Sequence, residues 1–450
     1  MNLDVFLKKL FDKAGTQGFE AFEAYCATGE QFELSVFGGE LIEYNVAGSL
    51  GVSFRALHRG KMGYSFTQVL DEEAIDLLIE AARENAELIE NEDEQFIYGG
   101  DAKYPALDLL SPAIEKMSAA EKIEMALALE KKGTTLDPRV TQVETCVLMS
   151  MAGGRRIVNS KGVDVSYQDN GIGIYLSVVA RDGEKVASGT KYIFTRDPKE
   201  LDIDAVAQAA VKEAVDGLEA KPVKSGNYRV ALRNDAAASL LNTFASVFSA
   251  DMAQKGLSLL KDREGTQIAS EAVTLIDDPH HGKALASTPF DAEGVATAKR
   301  AIVENGTLTT LLHNLKTAKK QGVQTTGNAS KGSYAAPIGV APSNFYVQPS
   351  DQSPERLLGD IGDGLLITEL SGLHSGANGI SGDFSLGAKG YVITGGVLGE
   401  AVNQITIAGN FFELLKGIRA AGSDLRFGFP GGSCVGSPML DAGELAIAGE

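Results

Sequence analysis

The chain has no tryptophan, and only five histidines and three cysteines among 450 residues. Cys26, Cys146 and Cys434 lie far apart and form no CxxC pair. That excludes a disulfide framework and a zinc ribbon, and it fits a reducing cytosol. No HExxH or HxxEH spacing occurs, so the two-imidazole helical face of a zincin is missing. There is no GxSxG nucleophile turn and no cysteine beside a histidine. Basic residues are the minority, 41 against 60 acidic ones, for a net charge of −19. A chain this negative repels phosphate backbones and anionic lipid, so no direct nucleic-acid partner and no membrane are expected. The longest uncharged apolar-rich run, 236–250, is too short and too polar to cross a bilayer. Met1 to Lys13 alternates charged and apolar residues and reads as an amphipathic helix, not a signal peptide. A cytoplasmic chain is expected.

What is present is ordinary globular material, 44% hydrophobic and 22% charged, enough for two or three domains. The first half shows one order of elements twice. A helical period over 3–14 precedes four strand-like runs at 19–27, 31–44, 50–58 and 62–69, and Asp71 then caps a second helix. Ser118-x-x-Glu121 is a capping box that opens the second copy. Strand-like runs follow it at 141–149, 155–159, 163–180 and 185–195, and a helix over 201–218 closes the unit. The double glycines Gly38-Gly39 and Gly153-Gly154 suggest a register between the copies, and a polar stretch at 91–112 joins them. Most of the 51 glycines fall after residue 223, among short β-branched runs. One helix is expected from Asp235 to Gln254 and another over 410–421. The expected fold is α+β: a duplicated α-β-β-β-β-α N-terminal domain over residues 1–222, then a glycine-rich, β-dominated C-terminal domain over 223–450.

Chemistry is sparse. Asp277-Asp278-Pro279-His280-His281 is the one crowding of possible ligands, and neighbours on an extended chain point to opposite sides. A polar turn initiated by Asp-Pro is its simpler reading. The run Gly376-x-x-Gly379-x-x-Gly382 lacks the Gly-Lys-Ser/Thr ending of a phosphate loop and reads as a turn between strands.

Several ordered motifs in the second half carry a resemblance. They are Asp277-Asp278-Pro279, Thr288 to Gly294, Ile302 to Leu308, and Thr317-Ala318-Lys319. Thr326-Gly327-Asn328, Ser381 to Ser385 with Gly387-Ala388-x-Gly390, and Ile407-Ala408-Gly409-Asn410 complete the set. Together they resemble the TldD/PmbA family. The resemblance implies a peptidase system of the bacterial cytosol, first described as a modulator of DNA gyrase, that encloses unfolded peptides between two subunits. One branch of that family holds a metal through a helix bearing His-Glu-x-x-x-His and a distant cysteine. The other, PmbA/TldE-like, lacks these ligands. In this chain the corresponding helix follows Arg233-Asn234-Asp235 and carries no His or Glu through Gln254.

The expectation is therefore a PmbA/TldE-like subunit with no catalytic residue, metal or cofactor of its own. Its partner is a TldD-like metal-bearing subunit, or a second copy in a homodimer. Asp291, Glu293, Asn328, Asp383 and Ser385 are the substrate-chamber candidates. Gly327, Gly379 and Gly382 are expected at positive φ or under a close backbone approach. Two alternatives stand beside this: an autonomous metallopeptidase using His280, His281 and Cys434, and a non-catalytic homodimeric peptide-binding or regulatory protein.

Overall fold

The computed structural model describes residues 1–90, 93–101 and 103–450. Helix α1 (Leu3–Ala14) starts where Asn2 accepts the Val5 N–H. Strands β1 (Ala21–Phe37), β2 (Glu40–His58) and β3 (Lys61–Thr67) follow, then α2 (Glu72–Leu88), capped by Asp71 as expected. A short helix α3 (Pro112–Lys116) leads to α4 (Ala119–Thr135), whose Ser118–Glu121 capping box is formed. Strands β4 (Val140–Asn159), β5 (Asp164–Asp182) and β6 (Lys185–Thr195) precede α5 (Ile203–Gly217). The six strands make one antiparallel sheet in the order β3-β2-β1-β4-β5-β6.

The α+β class and the repeated order of elements hold, but each copy has three long strands where four runs were expected. Thr28 to Glu30 and Gly153-Gly154 do not break the chain. They sit inside β1 and β4, where Gly29 pairs with Gly153 across the middle of the sheet. A Cβ on Gly154 would lie 2.8 Å from the Thr28 hydroxyl, so the missing side chain serves close packing and not a turn. Gly38-Gly39, by contrast, do turn the chain, at φ of 63° and 80°. The register of the copies is better marked elsewhere. A Cβ on Gly63 in β3 would meet the Ala82 carbonyl of α2 at 1.7 Å, and one on Gly189 in β6 the Ala210 carbonyl of α5 at 2.1 Å. In both copies a glycine of the outer strand admits the backbone of the closing helix.

The stretch 91–112 falls partly outside the described residues, at 91, 92 and 102. Parts of the rest are anchored: Ile97 lies against Ala21 and Met62, and the Tyr104 hydroxyl donates to the Gly294 carbonyl at 2.8 Å.

After β7 (Gly226–Leu232) comes α6 (Asn234–Phe244), shorter than expected. A 3-10 turn follows it, and Ser249 is extended and bridges Leu312, which ends the helical run before Ala250–Gln254. One sheet runs Val397–Asn410, Asp383–Thr394, Gly364–Ser371, β7, Leu440–Ala448. Val397–Asn410 also pairs with Leu440–Ala448, so these strands close into a ring. A second six-stranded sheet includes Leu275–Asp277, Asn344–Val347 and Cys434–Ser437. Parallel pairs occur in both, β7 with Gly364–Ser371 and Asn344–Val347 with Cys434–Ser437, which short β-branched runs alone do not announce. The back half has its own continuous core around Phe244, Phe248, Phe345 and Phe411.

Of the three glycines singled out, Gly327 (φ 75°) and Gly382 (φ 83°) are left-handed. Gly379 has an ordinary φ and open space around it. The Asn378 side chain makes that turn instead, accepting the N–H groups of Ile380 and Ser381. Gly63→Ala and Gly189→Ala should each destabilise by about 1–3 kcal/mol, because a helix backbone must move. Gly379→Ala should stay within about 0.5 kcal/mol of wild type. Denaturant unfolding of the three variants checks both statements.

Candidate functional site at the junction of the halves

The odd-numbered face of β2 meets the back half. Arg55, fully buried, bonds Glu23 of β1 at 2.8 Å and Glu293 of the back half at 3.2 Å. Asn159 holds the other Glu23 oxygen at 3.1 Å, and the Leu315 N–H the other Glu293 oxygen at 2.8 Å. Burial pushes Glu23 above the usual carboxylate range, against the pull of Arg55.

Beside this triad lies a cavity of about 200 Å³ whose walls come from both halves. The front sheet contributes Tyr25, Arg155, Tyr167 and Asp169. The back half adds Asp291, Asn328, Lys331 and the Gly431-Gly432 turn. Lys331 Nζ donates to the Ser53 hydroxyl at 3.1 Å and lies over the Tyr25 ring at 5.3 Å. Burial, aided by the nearby Arg55 charge, brings Lys331 down to about 8. Burial also pushes the Tyr167 phenol up to about 12 and raises Asp169.

The five candidates fall into two groups. Asp291 accepts the N–H groups of Glu293, Val295 and Ala329, and it is raised by burial first and by the Glu293 charge second. Asn328 donates to Asp277 at 2.6 Å and accepts from the Thr326 hydroxyl at 2.6 Å. Asp291, Gly327 and Asn328 line the cavity, and Glu293 stands behind in the triad. Asp383 and Ser385 are exposed on Asp383–Thr394 and are not among the cavity walls; Asp383 bonds Asn410 at 2.9 Å. Sequence reasoning missed Arg55, Lys331, Arg155 and Tyr167. Lys331 stands three residues past the Thr326-Gly327-Asn328 motif, so following that motif further would have reached it.

The alternative metal ligands do not converge. His280 bonds Thr297 at 3.0 Å, His281 packs on Tyr346 and Phe427, and Cys434 is a buried thiol raised by desolvation. Asp277 takes the Ser343 N–H at 2.7 Å, and Asp278 pairs with Lys299. Among the described residues, no three His, Cys, Asp or Glu side chains are grouped to hold an ion. Asp235 is not the cap of α6. Arg233 occupies that position, and Asp235 is gripped by the Arg233 guanidinium at 2.7 and 2.6 Å and by Lys191 at 3.2 Å. Glu213 of α5 completes the cluster on Arg233 and Lys191. The residues at the head of α6 therefore do not fit a hydrolytic metal, which needs imidazole or carboxylate ligands free to bind it.

A two-part α+β chain with a duplicated front sheet and a polar junction defines the class. Three family models match, described as PmbA/TldA metallopeptidase domain 1 (22–86), central domain (112–218) and C-terminal domain (225–449). The chain belongs to the PmbA/TldD metallopeptidase family. It is 29% identical over 392 residues to the metalloprotease PmbA of Escherichia coli O157:H7, covering 86% of this chain and 83% of that one. It is 30% identical over 394 residues to the PmbA homologue of Haemophilus influenzae, covering 86% and 83%. A solved structure from Thermotoga maritima, named as a candidate modulator of a DNA gyrase, superimposes with a TM-score of 0.91 at 35% identity, covering 99% and 100% of the two chains. TldE of Thermococcus kodakarensis shares the fold, with a TM-score of 0.90 at 23% identity and coverage of 99% and 100%. Among the described residues, no helix is long and apolar enough to cross a membrane.

One pH effect follows. Burial pushes Asp277 up to about 6, against its bonds from Asn328 and Ser343. The native state then keeps a proton that the unfolded chain releases near pH 4. Its contribution to stability is full below about pH 4 and is lost as pH rises to about 6. Relative to Asp277→Asn, wild type should lose about 3 kcal/mol across that interval, read from denaturant midpoints at each pH.

Proposed function

We propose that this chain is the PmbA/TldE-like, non-metal-binding subunit of a cytosolic two-subunit peptidase acting on unfolded peptides. A TldD-like subunit supplies the metal, and without it the chain pairs with itself. The head of α6 carries this reading. On the helix that corresponds to the one bearing the metal-binding branch's histidines and glutamate, this chain has no His or Glu, and Arg233 and Asp235 at its head are locked to Lys191 and Glu213. The junction cavity is the proposed peptide-contact surface. Lys331 and Arg155 offer charge to a peptide's carbonyl or carboxylate oxygens, while Asp291, Glu293 and Asn328 hold the wall in shape. Asp383 and Ser385, outside the cavity, are proposed to border the chamber once a second subunit encloses it. A boundary near residue 222 divides the two proposed domains.

Purified alone, the chain should contain no stoichiometric zinc by elemental analysis and should leave an unfolded peptide intact. A metal-bearing homologue added to it should cleave that peptide. Chelator-sensitive cleavage by the pure chain, lost on His280→Ala or Cys434→Ala, would reverse the assignment.

A further inference from the structure

The front sheet leaves half of one strand uncovered. β3 pairs with β2 only over Val52 to His58, so residues 40–49 of β2 are an outer edge, exposed throughout. The second copy has the same vacancy, because β6 pairs with β5 only from Ile172 onward. There the chain covers the edge itself. The Asn170 N–H donates to the Leu109 carbonyl, Tyr167 packs on Phe290, and Leu285 stands over Gly171. Among the described residues no such cover lies on 40–49 of β2. Tyr44 and Val46 pair with Leu34 and Phe32 of β1 and share their face, the face on which Leu34 joins the helix-covered core. Yet Tyr44 is 48% and Val46 69% exposed, with Ile42 at 58% beside them. An open edge with an apolar stripe is a template for pairing with another strand.

We propose that the edge 40–49 of β2 pairs antiparallel with the same edge of a second copy of this chain, about a two-fold axis at Asn45. This rests on the association proposed above and names its surface. In that register Tyr44 of each chain opposes Val46 of the other, giving two aromatic–β-branched pairs inside the regular part of the strand. Glu43 faces Ala47, and Glu40 faces Leu50, so no carboxylate opposes another in a chain of net charge −19. The register also spares the irregularity near Ile42, which lies outside the two central pairs. Each third strand begins its pairing at Val52, beyond the reach of the central pairs, so the two copies of β3 do not obstruct them. An isologous contact of this kind closes as a dimer and leaves no further edge to propagate.

Sedimentation equilibrium of the full chain at micromolar concentration should give a dimer. Val46→Asp should weaken it by about tenfold or more while leaving the thermal melt in place. Asn45→Cys should be linked between chains by a short bis-maleimide, since the three native cysteines are buried, whereas Val397→Cys, exposed elsewhere, should not. A wild-type monomer would remove the association and its surface together, and an unfolded peptide bound at this edge would then name the other occupant. A dimer indifferent to Val46→Asp, with Asn45→Cys unlinked, would remove the surface alone and leave the association standing.

Discussion

The cavity side of the junction depends on Arg55. Its guanidinium is taken out of water between two carboxylates, one from each half of the chain, and among the described residues neither carboxylate pairs with another cation. Removing one partner of such a buried pair commonly costs about 3–5 kcal/mol, because the charge left behind stays desolvated. The triad therefore fixes how the odd face of β2 meets the segment 291–295. That segment in turn sets Asp291, the Gly327–Ala329 backbone and the cavity wall. A second ionic cluster, Lys191–Glu213–Arg233–Asp235, fastens the head of α6 to α5 and β6. These two polar clamps join the halves alongside an apolar contact, in which Phe290 packs on Ile157, Val163 and Tyr167.

This arrangement explains how a chain of a metallopeptidase family can carry, at the head of α6, residues that do not suit a hydrolytic metal. The helix head in question is not empty space. Arg233 and Lys191 neutralise the two carboxylates there and engage their oxygens, so neither is free to bind a cation. What remains open is the cavity on the other clamp, where Lys331 makes a single hydrogen bond and keeps donor capacity for a visitor.

Much of this was legible beforehand, unevenly. Local signals worked where the chemistry is local: Asp71 and Ser118 read directly as helix starts. The motif order identified the family. Strand counts failed because glycine marks both turns and close approaches. Gly38-Gly39 turn at positive φ, whereas Gly153-Gly154 cross the sheet extended, with Gly154 packed on the Thr28 side chain. The triad was invisible for a similar reason. Glu23, Arg55 and Glu293 come from three elements, and an Arg in an alternating strand reads as solvent-facing until something is packed on that face. Gly379 misled in the opposite direction, since the neighbouring Asn378 makes the turn.

The central claim is that the clamp around Arg55 presents a peptide-contacting cavity. The most direct measurement is steady-state cleavage of an unfolded peptide by the reconstituted two-subunit peptidase carrying Lys331→Met or Asn328→Ala in this chain. The account predicts a raised KM with the partner's zinc content unchanged. Full activity with an unaltered KM in both variants would contradict it and leave the cavity a purely structural feature.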